Sequence, residues 1–242
     1  MALLETIRVA VESLRANKMR SALTLLGIVI GVAAVITMIA LGRGAERRIQ
    51  ETIANLGVNV LTVMPGREFR MGVDVGQNAL TPQDAEAILQ NAAAVADVAP
   101  TMTQNLQVEY MNSNYSTTIT ATWPSYPSIA DYRVGIGRFF DQREQDGRRR
   151  VAVLGADIPA SLNTTGDELL GQRIKIKSIG FEVIGVLEPK GQQGGWFNQD
   201  DQIMIPLSTG EFRLFGTDRL RSISVQVRDP SLMSIAEAQI ER

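Results

Sequence analysis

From Ala22 to Leu41 the chain reads ALTLLGIVIGVAAVITMIAL, twenty residues without a charge, eleven of them Leu, Ile or Val. Wound as a helix at about 1.5 Å per residue, this run spans roughly 30 Å, the hydrocarbon thickness of a bilayer. The eleven branched residues supply about −3 to −7 kcal/mol of insertion free energy; Thr24, Gly27, Gly31 and Thr37 subtract from it without reversing it. A buried helix of a soluble core is the competing reading. A cleaved signal peptide fits less well: the run exceeds the usual apolar region of about 7–15 residues, and no A-x-A-like site follows. The pattern predicts a transmembrane helix over 21–41.

The flanks carry a different periodicity. Leu3, Leu4, Ile7, Ala10, Val11 and Leu14 recur at a spacing of three or four, with Glu5, Arg8, Glu12 and Arg15 around the rest of the turn. That predicts an amphipathic helix over 1–20 on the cytoplasmic membrane surface, or a plain stop-transfer flank. On the far side, Ala45, Ile49, Ile53 and Leu56 form a stripe, and Gly57 stands where a C-terminal cap glycine belongs. One helix from about Arg20 to Leu56 is expected, with a stalk over 42–57 reaching about 20 Å past the membrane. Gly42, Gly44 and Gly57 are its candidate hinges. The alternative is that Gly42 and Gly44 loosen an interfacial loop before the helix restarts.

Beyond Gly57 the pattern changes to a mixed α/β texture. VNVLTVM (58–64) predicts a strand, and the polar, Gly-rich stretch to Ala79 predicts a loop. Thr81 then caps a helix with Pro82 at its first position and Asp84 three residues on; Ala85, Ile88, Leu89 and Ala92 are its expected buried face. Strands are expected at 95–110, 115–122, 133–140 and 151–155. Segments 172–178 and 181–188 read as a hairpin turning at Ile179-Gly180. A Gly-rich loop (191–198), strands at 201–206 and 221–227, and a short helix near Ser208–Phe215 follow. In the last segment Asp229-Pro230 starts a helix with Leu232, Ile235, Ala236 and Ile240 on one face; its uncapped end reads as a truncation or as a domain end. The fold class is α+β.

Composition narrows the chemistry. The chain has 242 residues, 45% hydrophobic and 21% charged, with a net charge of −2. That balance argues against a nucleic-acid partner. With neither Cys nor His, disulfides, thiol nucleophiles, histidine triads and His-ligated zinc are excluded. No catalytic or metal site is assigned. Asp200-Asp201 invites an acid–base reading, but no partner carboxylate can be located and solvated turn acids weigh more heavily. Arg148–Arg150 reads as an acidic-partner contact or a charged strand start. Trp196 and Phe197 are candidate partner contacts, or else a loop anchor. Gly27 and Gly31 form a G-x-x-x-G pair that, with Thr24 and Ala34, makes a candidate helix-packing face; glycine is also simply common in such helices. Arg8, Arg15, Lys18 and Arg20 precede the apolar run and Arg43, Arg47 and Arg48 follow it, so the charge bias favours a cytoplasmic N-terminus by one.

Several ordered motifs carry a resemblance. MRSALTLLGIVIGVAAVI (19–36) and LGVNVLTVMPG (56–66) resemble the start of MacB-type ABC-transporter permeases, the superfamily that includes FtsX-like and lipoprotein-release permeases. VGIGRFFDQRE (134–144), RRVAVLG (149–155), LLGQRIKI (169–176), FEVIGVL (181–187) and DDQIMIP (200–206) resemble its extracytoplasmic domain in the same order. The resemblance implies a first transmembrane helix leading into a membrane-proximal α/β part (58–111 and 207–242) with an inserted strand-rich subdomain (112–206). It also implies a permease homodimer or heterodimer in a bacterial inner membrane, with the main domain periplasmic or extracellular. A cytoplasmic ABC ATPase would bind the ATP, leaving this chain without a cofactor or enzyme activity of its own. Some relatives add a membrane-fusion adaptor. No G-x-x-x-x-G-K-[ST] pattern occurs in the chain. The expected function is therefore a permease fragment coupling ATP hydrolysis elsewhere to export of drugs, peptides or lipoproteins. An FtsX-like scaffold permease and a freestanding single-pass binding protein are the alternatives.

Overall fold

The computed structural model describes residues 18–55, 59–70, 73–77, 79–193 and 197–241. The expected surface helix before Lys18, the cap at Gly57 and the contact at Trp196 lie outside the described residues. The chain divides into two compact units, 1–53 and 54–242.

Among the described residues the first unit consists of helix α1 (Lys18–Asn55), unbroken at Gly42 and Gly44. Its segment Lys18–Gly44 contains an 18-residue stretch with a mean hydropathy of 2.6, none of it buried against protein. The two polar side chains of the uncharged run 22–41 are satisfied within the helix. Thr24 Oγ1 donates to the Arg20 carbonyl at 2.5 Å and Thr37 Oγ1 to that of Ala33 at 2.8 Å. Internal pairing of this kind lets a hydroxyl sit in hydrocarbon without an orphaned proton.

The second unit is built on one sheet. Its strands, in chain order, are β1 (Val60–Val63), the outlying β2 (Arg67–Arg70) and β3 (Val73–Gln77), β4 (Val95–Tyr110), β5 (Ser113–Thr122), β6 (Val134–Gly137) and β7 (Val151–Leu154). Then follow β8 (Arg173–Ile176), β9 (Ile179–Leu187), the short β10 (Gln192–Gln193) and β11 (Phe197–Asn198), β12 (Gln202–Pro206) and β13 (Ser222–Val227). The main sheet has the order β1-β13-β4-β5-β12-β7-β9-β6, with β8 bridging β4 and β9. The pairs β5–β12 and β7–β9 are parallel; the others are antiparallel. Strands from both sides of the residue-112 and residue-206 boundaries share this sheet, and the first boundary falls in the β4–β5 hairpin. At the opposite end, the Val227 N–H donates to the Asn59 carbonyl at 2.8 Å, tying the start of β1 to the end of β13.

Period-two alternation assigns the faces. Val98, Met102, Ile119, Ala121, Ile203, Ile205, Ile223 and Val225 are buried in the main core, together with Phe181 of β9 and Ala85 of helix α2 (Pro82–Asn91). The Asp84 carboxylate fastens the start of α2 by accepting from both the N–H (2.7 Å) and the hydroxyl (2.9 Å) of Thr81. On the opposite face of β7, β9 and β12, Val151, Val153, Ile184 and Met204 form a smaller core under Phe139, Phe140, Tyr126 and Tyr132.

Several sequence expectations are corrected. The hairpin turns at Lys177-Ser178, not Ile179-Gly180: both turn residues have positive φ (47° and 67°), the left-handed pair a two-residue hairpin requires, and Ile176 and Ile179 close the ladder. The stretches expected as loops at 66–79 and 191–198 contain the antiparallel pairs β2–β3 and β10–β11, because their backbones bond to each other despite the glycines. Leu89 is 42% exposed, since the inward line runs Ala85–Ile88–Ala92 and Leu89 lies about 100° around from Ile88. Ile235 is likewise exposed. In helix α3 (Met233–Ile240), Ala236 is the buried residue, and Leu232 and Met233 pack beside it against Ala94 and Val227.

Candidate functional site

The helix-packing candidates Thr24, Gly27, Gly31 and Ala34 all lie on α1 and are exposed in this chain. A Cβ added at Gly27 or Gly31 would meet nothing within 4 Å, so the space beside these glycines is open to another helix. Gly42 and Gly44 are equally open and helical. Phe197 belongs to β11.

The two aspartates do not form an acid–base pair. They precede β12 one residue apart, so period two sends them to opposite faces. Asp200 is buried, and its two oxygens accept the N–H groups of Lys190 and Gly191, each at 2.8 Å. Asp201 accepts from Thr117 Oγ1 at 2.7 Å and from the Tyr115 hydroxyl at 3.0 Å, a bond that raises the phenol's pKa. Both acids are structural clasps, not solvated turn residues. Arg148, in a left-handed conformation, lays its guanidinium 3.7 Å over the Phe212 ring, an intramolecular cation–π contact. Among the described residues no cluster of acidic side chains could hold a metal ion.

What the sequence reading missed is a groove of about 530 Å³ on the sheet face opposite the main core. It opens where the aromatic cover of the smaller core stops, at Tyr126, Ile129, Ala130 and Tyr132. The floor consists of alternate residues from five strands: Val60 and Thr62 of β1, Ser222 and Ser224 of β13, Thr101, Thr103 and Asn105 of β4, Thr118 and Thr120 of β5, and Gln202 of β12. Cross-strand register sets these side by side, with Thr62 opposite Ser224, Ser222 opposite Thr101, Thr103 opposite Thr120, and Asn105 opposite Thr118. The signal was present as T-x-T-x-N (101–105), T-x-T-x-T (118–122) and S-x-S-x-Q (222–226), short polar residues at the strand period.

A hydrogen-bond network stiffens one end of this floor. Thr120 Oγ1 donates to Gln202 Oε1 at 2.9 Å, and Gln202 Nε2 donates to the Tyr132 hydroxyl at 2.7 Å and to the Gln199 carbonyl at 2.9 Å. Thr118 Oγ1 donates to Asn105 Oδ1 at 2.8 Å. Lys190 Nζ donates to the Ala130 carbonyl and lies 4.5 Å from the centre of the Tyr132 ring. Burial pushes the Lys190 ammonium below its ordinary pKa, against the opposing pull of Asp131 and Asp200. Burial also pushes the Tyr132 phenol upward, so its hydroxyl stays protonated.

Comparison with known proteins places this architecture. The family profile described as MacB-like periplasmic core domain matches residues 21–242. A macrolide export ATP-binding/permease protein MacB of Rhodospirillum rubrum is 39% identical over 239 residues, covering 98% of this chain and 36% of that protein. The MacB of Bdellovibrio bacteriovorus is 35% identical over 232 residues, 94% of this chain and 35% of its own length. The chain thus spans little more than a third of these relatives. Among solved structures, the periplasmic region of MacB from Actinobacillus actinomycetemcomitans aligns with a TM-score of 0.65 at 23% identity, covering 80% of this chain and 86% of that one. The extracellular domain of the ABC-type transporter YknZ from Gram-positive bacteria aligns at 0.61 and 17%, covering 75% and 90%; these two show the shared fold. The described residues thus combine one helix long and apolar enough to cross a membrane with an α+β sheet domain of this shared fold. The chain belongs to the MacB-like periplasmic core domain family.

Proposed function

We propose that this chain is part of a permease subunit that converts ATP hydrolysis, performed by an ABC ATPase domain or subunit, into movement of an extracytoplasmic domain during export of drugs, peptides or lipoproteins. The observation that carries the reading is α1, unbroken from Lys18 to Asn55 through both candidate hinge glycines, in a chain whose sheet begins at Val60. A continuous helix transmits rigid-body motion where a loop would absorb it, provided it has two arrangements to move between.

In this reading the N-terminus is cytoplasmic and the sheet domain lies outside a bacterial inner membrane, as the excess of basic residues before the apolar run favours. Two permease copies, identical or different, pack through Thr24, Gly27, Gly31 and Ala34, where the absent side chains allow close approach. The sheet domain is read as a membrane-proximal part with an insertion over 112–206, and a membrane-fusion adaptor is a candidate partner. ATP is held by the ATPase and not by this chain. The test is a flexible Gly insertion after Leu41, made in the permease assembled with its ATPase in vesicles. ATP hydrolysis that continues while export stops is the expected result; export at the normal rate refutes the lever.

A further inference from the structure

We propose that the groove on the second face of the sheet is a binding site for a short acidic saccharide. The proposal goes beyond the permease reading and does not depend on it, because binding is read on this chain without an ATPase.

Three observations define the ligand's chemistry. First, the groove's size, about 530 Å³, lies within the usual small-ligand range of about 300–1,000 Å³. Its lining is mixed: Val60, Ile129, Ala130 and the Tyr126 and Tyr132 rings give apolar surface, and the strand floor adds hydroxyl and amide groups, a combination that suits the apolar faces and the hydroxyls of a sugar ring. Thr118 and Thr120 give their protons to Asn105 and Gln202 and offer lone pairs to a ligand, while a hydroxyl without such a partner can donate and accept at once, which matches the hydroxyls of a sugar. Second, the two charged side chains lining it are Lys190 and Arg221, and no carboxylate lines it. Asp131 and Asp200 act on Lys190 but stand outside the lining, and Asp200 is occupied by two backbone N–H groups. A cationic ligand therefore finds no counter-charge, whereas an acid finds two. Third, the donors are already in place. Tyr132 accepts from Gln202, which leaves its own proton for a ligand, and Lys190 Nζ keeps donors beyond the one given to Ala130. Partial burial of Lys190 strengthens its attraction for an anion that displaces the local water. Thr101, Thr120 and Gln202 are buried and cross-bonded, so the floor is rigid before any ligand arrives.

Three trisaccharides of similar size and different charge test this: trigalacturonate (acidic), maltotriose (neutral) and the glucosamine trimer (cationic). Each is titrated into the full chain in detergent micelles with threonine methyl groups labelled for NMR. Trigalacturonate is expected to give saturable shifts at Thr62, Thr103, Thr118 and Thr120 with a Kd of about 1 mM or tighter. Maltotriose should bind at least about tenfold more weakly, and the cationic trimer should give no saturation. Lys190→Gln should weaken trigalacturonate about tenfold. Thr103→Phe, at an exposed strand position, should block the groove without disturbing the fold. Failure of trigalacturonate to saturate, equal binding of all three sugars, or unchanged affinity in either variant overturns the proposal.

Discussion

Asp200 gives the most direct check on how the groove's border is held. It is 6% exposed, its oxygens take the Lys190 and Gly191 N–H groups at 2.8 Å, and its own N–H donates to Asn198 Oδ1 at 3.0 Å. Asp200→Ala removes two charge-assisted bonds, each of about 1.5–3 kcal/mol. Lys190 is half-buried and Gly191 exposed, so water recovers part of the loss, and the net cost is about 2–4 kcal/mol. Asp200→Asn keeps one acceptor but turns an NH₂ toward the other N–H, costing about 1–2 kcal/mol. With a urea dependence of roughly 2–3 kcal/mol per molar, the alanine variant should lower the unfolding midpoint by about 1 M and the asparagine variant by about half of that. Equilibrium urea unfolding of the full chain in mild detergent, followed by tryptophan fluorescence, reads both. An alanine variant within about 0.5 kcal/mol of the parent would refute the clasp, since surface substitutions fall in that range.

Three further outcomes are expected. A Cβ at Gly155 would stand 2.2 Å from the Asp200 carbonyl oxygen, so Gly155→Ala should cost about 2–3 kcal/mol, visible as a lower Tm; an unchanged Tm refutes the close approach. Glu144 accepts both Arg138 terminal nitrogens, at 2.7 and 2.8 Å, and this pairing holds its carboxyl below the ordinary range. The unfolded state then binds more protons, so the pair's stabilisation is present above about pH 4.5 and is lost as pH falls through the depressed value. Because Arg138 is 57% exposed, the effect is about 1 kcal/mol or less; urea midpoints between pH 3 and 6 should flatten in Glu144→Gln, and parallel curves count against it. Finally, leucine at both Gly27 and Gly31 should lower the yield of cross-linked permease dimer, and an unaltered yield removes the proposed packing face.

Much of the frame was legible because it rests on periodicity and caps. The uncharged run of 22–41, the Thr81-Pro82 helix start, and the strands at 95–110, 151–154, 202–206 and 222–227 follow from local pattern. Apart from the helix positions Leu89 and Ile235, the misses share a cause, since each depends on partners that local pattern does not show. The Lys177-Ser178 turn is set by which residues of β8 and β9 pair, not by the nearest glycine. Asp200 looks like a turn acid until its partners ten and nine residues upstream are in view. The groove needed five strands in register. Alternating threonines in one strand read as ordinary strand composition, and only their neighbours make them a surface.

The tie between Asn59 and Val227 fixes how this domain bears load. β1 and β13 are antiparallel neighbours, so the chain arriving at Val60 and the chain departing at Val227 do so at the same end of one four-pair ladder. Pulling those two connections apart would load the Asn59–Val227 bond from the β1 side, whereas on the β13 side the Arg228 N–H bond to the Ala94 carbonyl at 2.9 Å and α3 packed on Ala94 and Val227 hold the departing chain. Pushing or turning both connections together leaves the ladder unstressed and carries the sheet along as a block. Moved together, the two connections keep the β1–β13 pairing intact; drawn apart, they load its first bond.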